Sequence, residues 1–103
     1  MGRERPKDVV KDEVTYILLI EDTEKGAVLS AAARKKELDA VNDFVKKAGG
    51  QCRLFSTSGA PCDFVSVIAG ISPAAAIRVA ADIEKRGTVK ATLIAGLEVF
   101  STR

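Results

Sequence analysis

At 103 residues the chain has the length of one domain and is too short for two. Apolar residues make up 47% of it and charged residues 29%, a globular balance that excludes a disordered or fibrous chain. Sixteen basic residues against fourteen acidic ones leave a net charge of +2, which argues against a polyanion such as nucleic acid as partner.

Residues 1–13 alternate charges with little else and are expected to form a flexible tail ahead of a domain spanning 14–103. Met1 to Pro6 carries charges with no apolar stretch behind it, so no secretory signal is expected. Pro6 also spoils a myristoylation motif at Gly2. Thr15-Tyr16-Ile17-Leu18-Leu19-Ile20 is β-branched, aromatic and apolar at both parities, which predicts a strand covered on both faces. The strand ends at Glu21-Asp22, and Thr23 is a candidate N-cap for the proline-free, alanine-rich stretch 24–48. One helix of that length would run roughly 37 Å at about 1.5 Å per residue, longer than a short strand can match. The apolar pattern also breaks at Arg34-Lys35-Lys36-Glu37. Two pieces are therefore expected, near 25–33 and near 35–48, the second burying Leu38, Val41, Phe44, Val45 and Ala48. Lys46 and Lys47 favour its C-terminal dipole, and Gly49-Gly50 ends it.

Strands over 51–57 and 62–69 follow, joined by the turn-forming Ser58-Gly59-Ala60-Pro61. Ser72 before Pro73 pairs an N-cap hydroxyl with proline at the first helical position. That helix runs to Lys85-Arg86, stops at Gly87, and offers Ala76, Ile77, Val79, Ala80 and Ile83 as its apolar face. The last strand is expected from Val89 to Phe100, with Val89, Ala91, Leu93, Ala95, Leu97 and Val99 on one face.

The order is β-α-β-β-α-β, the α+β ferredoxin-like arrangement, and right-handed crossovers put both helices on one face of a single sheet. The other face keeps apolar residues from strands one, three and four, and a contiguous patch of that kind marks an interface. Burying roughly 600 Å² of it per subunit gains on the order of 15 kcal/mol gross before association costs. Face-to-face packing of two copies is expected, a homodimer or higher homo-oligomer.

Thr15-Tyr16-Ile17-Leu18-Leu19, Gly26, Leu38-Asp39-Ala40, Gly49-Gly50, Gly59 ahead of Asp63-Phe64-Val65, and the closing strand from Val89 to Phe100 together resemble the GYD-domain family. The resemblance covers residues 14–100 and implies a dimeric α+β barrel. The chain departs from the namesake motif. Cys62 stands at the tyrosine position, one residue is inserted, and only Gly59 and Asp63 carry over.

Chemistry-bearing residues are few. No histidine is present, which removes the commonest general base and metal ligand. No phosphate loop, dinucleotide-binding glycine pattern or paired-cysteine zinc motif occurs, so neither a metal nor a cofactor is expected. Asp63 is either a carboxylate at a barrel mouth or a turn residue capping backbone amides. Glu21, Asp22 and Glu98 are strand-end acids that could pair over a cavity or simply be solvated. Cys52 and Cys62 are too few for a disulfide framework and read as small, reduced apolar residues, in keeping with a cytoplasmic location. Arg34-Lys35-Lys36 and Lys85-Arg86 read as solvated helix surfaces. The candidate ligand-binding residues are Asp63, Gly59, Tyr16, Phe64 and Glu98, with no catalytic residue assigned. Two functions compete: a homo-oligomeric small-molecule-binding or sensing domain, and an interaction module whose sheet face is used up by assembly. Tyr16 and Phe64 also invite comparison with RNA-binding sheets, whose aromatics stack bases. The basic-glycine-aromatic run of such sheets is missing.

Overall fold

The computed structural model describes residues 14–58, 61–100 and 102. The expected tail over 1–13 and Gly59 lie outside the described residues. The elements are β1 (Val14–Asp22), α1 (Glu24–Ala27), α2 (Ala31–Lys47), β2 (Gln51–Ser56), β3 (Phe64–Ala69), α3 (Pro73–Glu84) and β4 (Val89–Leu97). The four strands form one antiparallel sheet in the order β2-β3-β1-β4. This is the α+β ferredoxin-like arrangement, with β1 at the centre because its run is apolar on both faces.

Register decides which residues share a face. Tyr16 pairs with Ile68 and Ala95, Leu18 with Ser66 and Leu93, and Ile20 with Phe64 and Ala91. This parity faces the helices: Leu18, Ile20 and Ile68 are sealed, packed in one cluster with Val41 and Val45 of α2 and Ala76, Val79 and Ile83 of α3. Tyr16 and Phe64 lie on this covered face, so they cannot stack bases on an open sheet. The other parity brings together Ile17, Leu19, Val65, Val67, Phe55 and Ile94, with no helix over it among the described residues.

The long helical stretch breaks earlier than its apolar pattern predicts. α1 is a single turn capped by Thr23, and α2 starts at Ala31, capped by the Ser30 hydroxyl, which accepts from the Ala33 amide. The polar turn Arg34–Glu37 lies inside α2 instead of between two helices. Arg34 and Glu37 stand three apart on the same side as Leu38 and Val41, and both charges meet partners at the sheet's end, so helix continuity costs nothing there. In α3, Ile77 is 64% exposed and not part of the apolar face, because Ala76, Val79 and Ile83 already fill the contact stripe. β3 begins at Phe64 and not at Cys62. β4 stops at Leu97, leaving Val99 and Phe100 exposed beyond it and outside the expected alternation.

The loop after β1 is pinned to the α3–β4 turn. The Thr23 amide donates to the Thr88 carbonyl at 3.0 Å, and the Thr23 hydroxyl donates to the Gly87 carbonyl at 2.8 Å. Gly26 is buried beneath this crossing, where an added Cβ would stand 2.0 Å from the Thr88 oxygen. Backbone cannot swing aside there, so Gly26→Ala should destabilise the fold by about 3 kcal/mol, read as a lower urea midpoint at unchanged slope.

Candidate functional site

Antiparallel order gives the sheet two unlike ends. The starts of β1 and β2 and the end of β3 share one end, while the end of β1 and the start of β4 share the other.

The second end is closed by charge pairs. Arg34 donates to both oxygens of Asp22, at 2.5 and 2.9 Å, and to the Gly26 carbonyl at 3.0 Å. Its guanidinium lies 5.4 Å from the Phe64 ring centre, in cation–π range. The hydrogen bonds that Arg34 donates to Asp22 are the main reason its pKa is raised further above the ordinary arginine value. Asp63 accepts the Asp22 amide at 2.8 Å through its carboxylate, the amide-capping role, though its partner is on β1 and not in its own turn. Arg86 donates twice to Glu37, at 2.8 and 2.9 Å, and the Thr88 hydroxyl donates at 2.9 Å. This arrangement ties α2 to both crossovers, and its hydrogen-bonding groups largely satisfy one another.

The first end is open. A cavity of about 610 Å³ lies between the sheet and the helix layer, bordered by Val14, Tyr16, the Gly49-Gly50-Gln51 turn and the turn from Ala69 to Pro73. Its size falls in the ordinary range for small-molecule pockets. Helix ends shape both turns. At the end of α2 the Gly49 amide donates to Lys46 and the Gly50 amide to Val45, the paired bonds of a glycine-terminated helix. Gly49 and Gly70 have φ of +88° and +84°, the left-handed region that favours glycine. A Cβ on Gly50 would meet Ile71 Cγ2 at 2.4 Å and the Ala69 oxygen at 2.7 Å, so the two turns touch along the cavity edge. Ser72 caps α3 at the same edge, its hydroxyl accepting from the Ala75 amide at 3.1 Å. Among the described residues, none that borders the cavity is charged.

The sequence-derived candidates are not brought together. Tyr16 borders the cavity. Asp63 and Phe64 belong to the charge-closed end. Glu98 follows β4 at the cavity's end of the sheet but does not border the cavity. Glu21 and Asp22 sit at the opposite end from Glu98, so these acids form no pair over a common space. The cysteines are free and half-buried, Cys52 with Sγ 3.6 Å from Asn42 Oδ1. No cluster of potential metal ligands occurs among the described residues. Sequence reasoning passed over Gln51, Ile71 and Ser72; the only signal for them was that two glycine turns fall at one end of the antiparallel order.

No protein-family model matches the chain. No curated protein matches it either. Several solved structures are similar to it in fold, among them the following two. TTHA0845 from Thermus thermophilus gives a TM-score of 0.55 at 13% identity, over 86% of this chain and 99% of that one. The putative chlorite dismutase TA0507 gives 0.57 at 18% identity, over 84% of this chain and 44% of that one. This chain therefore corresponds to less than half of the second protein's length. At these identities the likeness is one of fold alone, the α+β ferredoxin-like arrangement.

The charge-closed end makes stability depend on pH. The Arg86 guanidinium holds the Glu37 carboxyl below its ordinary pKa, with burial opposing and the Thr88 hydroxyl assisting. A lowered folded-state pKa gives stabilisation that is full above the unfolded value and lost as pH falls through the folded one. Glu37→Gln should therefore cost on the order of 1 kcal/mol at neutral pH, where the charged pair is present. Its denaturation midpoint should converge on that of the unsubstituted protein only once the pH has fallen through the lowered folded-state pKa, beneath the ordinary glutamate value of about 4.3.

Proposed function

We propose that this chain is a homo-oligomeric, GYD-like small-molecule-binding or sensing domain that acts in the cytoplasm. The open cavity at the β1 start carries the reading. It is a preformed space with a mainly apolar border, at the end of the sheet opposite the arginine–carboxylate pairs. The GYD resemblance is supported by glycines the backbone requires: Gly26 under the Thr88 carbonyl and Gly50 against Ile71. Free thiols suit a reducing compartment, and no helix of the described residues is long and apolar enough to cross a membrane.

Assembly through the open sheet face completes the proposal. Ile17, Leu19, Val65 and Val67 form the centre of that face, with Phe55 and Ile94, each 42% exposed, on either side. Glu21 opposite Lys90 forms a polar row at one end, and Arg53 lies 5.1 Å from the Phe55 ring centre at one flank. An apolar centre with a polar rim is the anatomy of a protein interface, and a second copy supplies a self-complementary partner. The competing interaction-module reading shares this face and differs only at the cavity.

Both parts are open to test. Native mass spectrometry of the purified protein should give a dimer or higher mass, with small-molecule adducts that leave on activation. A monomer at high micromolar concentration would end the assembly proposal. Ile94→Glu places a charge at an already exposed position, so it should yield a folded protein of lower mass by light scattering, with an unchanged circular dichroism spectrum. If amide resonances of Gly49, Gly50 and Gly70 stay fixed across a fragment library, the cavity is not a ligand site and the interaction-module reading stands.

A further inference from the structure

β4 stands last in the sheet order, so one of its edges has no neighbouring strand among the described residues. Two hydrogen bonds fix which backbone groups that edge presents. The Thr88 carbonyl accepts from the Thr23 amide and so turns towards β1, while the Ala91 amide turns away and donates to the Glu84 carboxylate at 2.8 Å. The β1–β4 register runs unbroken from Asp22–Val89 to Val14–Leu97, so the same alternation holds along the whole strand. The amides and carbonyls of Leu93, Ala95 and Leu97 therefore point outward from the sheet. Glu84 covers the Ala91 amide and leaves the Ala91 carbonyl free to accept. Native edges are blunted by charge, proline or a bulge, and from Ala91 to Leu97 this one has none of them.

The charges on this strand are placed symmetrically. Between Val89 and Phe100 only Lys90 and Glu98 are charged, and they stand at equal distances on either side of Ile94. Both are exposed, and neither forms an ion pair with a described residue. Antiparallel pairing of this edge with the same edge of a second copy, centred on Ile94, sets Lys90 of each chain opposite Glu98 of the other. In that register Leu93 and Ala95 of opposite chains exchange their outward bonds, and the Leu97 amide meets the free Ala91 carbonyl. Side chains match as well, Leu93 against Ala95 and Leu97 against Ala91, large beside small. Val99 and Phe100, 90% and 77% exposed, come opposite Val89 and Thr88 of the other copy. Moving the centre to Leu93 or Ala95 would set Lys90 opposite Gly96 or Phe100 and leave both charges unmatched.

We infer that the β4 edge is a second assembly surface, pairing antiparallel about Ile94 with β4 of another copy, its register set by the reciprocal Lys90–Glu98 pairs. Two four-stranded sheets then become one. This contact is separate from packing of the open sheet face, which it leaves uncovered. Ile94 belongs to both surfaces, so the edge is tested at other positions.

The test uses two full-length charge reversals, Lys90→Glu and Glu98→Lys. Each alone sets like charges opposite one another at both ends of the junction, so each should self-associate about tenfold more weakly at low salt. Mixed together, one of them isotope-labelled to separate the masses, they restore both ion pairs, and native mass spectrometry should show the mixed dimer well above its statistical share. Any effect of Lys90→Glu within its own chain, where Glu21 is its neighbour on β1, is the same in mixed and unmixed dimers and drops out. Ala95→Pro removes an outward amide and no bond to β1, so it should also weaken association while circular dichroism shows the sheet retained. The mixing result decides the matter whether or not the proline variant folds. Statistical mixing of the two reversals, or self-association of each as tight as that of the unsubstituted protein, overturns the edge pairing and leaves the sheet-face assembly standing. A protein that is monomeric in every form overturns both.

Discussion

The central strand β1 is hydrogen-bonded on both sides and apolar on both faces, and among the described residues only one of those faces meets a helix layer. Leu18 and Ile20 are fully sealed under α2 and α3, while Ile17 and Leu19 on the same strand face away from the helices. Both described crossovers lay their helices on the same side of the sheet, in keeping with the general preference for right-handed connections. The pressure to cover the remaining face is a direct consequence of the hydropathy of one nine-residue strand.

The sheet's two ends divide the labour. At the end where β1 stops, arginine–carboxylate pairs and backbone capping by Asp63 and Thr23 lock the crossovers together. At the end where β1 starts, glycine turns hold the backbone of the α2–β2 and β3–α3 connections close together. Beside them lies the cavity bordered by Val14, Tyr16 and Ile71. The ion-paired end positions the elements, and the proposed binding site is at the other end, in keeping with sites grafted on a scaffold without being implied by it.

Much of the fold was legible in local chemistry. Thr23 and Ser72 announced helix starts, because a β-region hydroxyl beside free amides is a local device. Gly49 announced a helix end for the same kind of reason. The break between α1 and α2 was misplaced because Arg34 and Glu37 look like solvent-facing charges until Asp22, Arg86 and Thr88 are brought to them from 12, 49 and 51 residues away. Ile77 looked buried by composition, and only the direction from which the sheet approaches α3 leaves it out. Of the proposed ligand contacts, Tyr16 borders the cavity, and Asp63 and Phe64 do not. Which end of a strand a residue occupies is readable in sequence, but which end stays open is not.

The sequence by itself determined the element order, the caps, the apolar identity of both faces of β1 and the absence of histidine, because each depends on neighbours within a few positions or on composition alone. The tertiary structure decided the register, the ion pairs that close one end and the glycine contacts that shape the other. Those depend on distances between segments far apart in the chain, and hydropathy patterns carry no information about how far apart two packed layers come to rest.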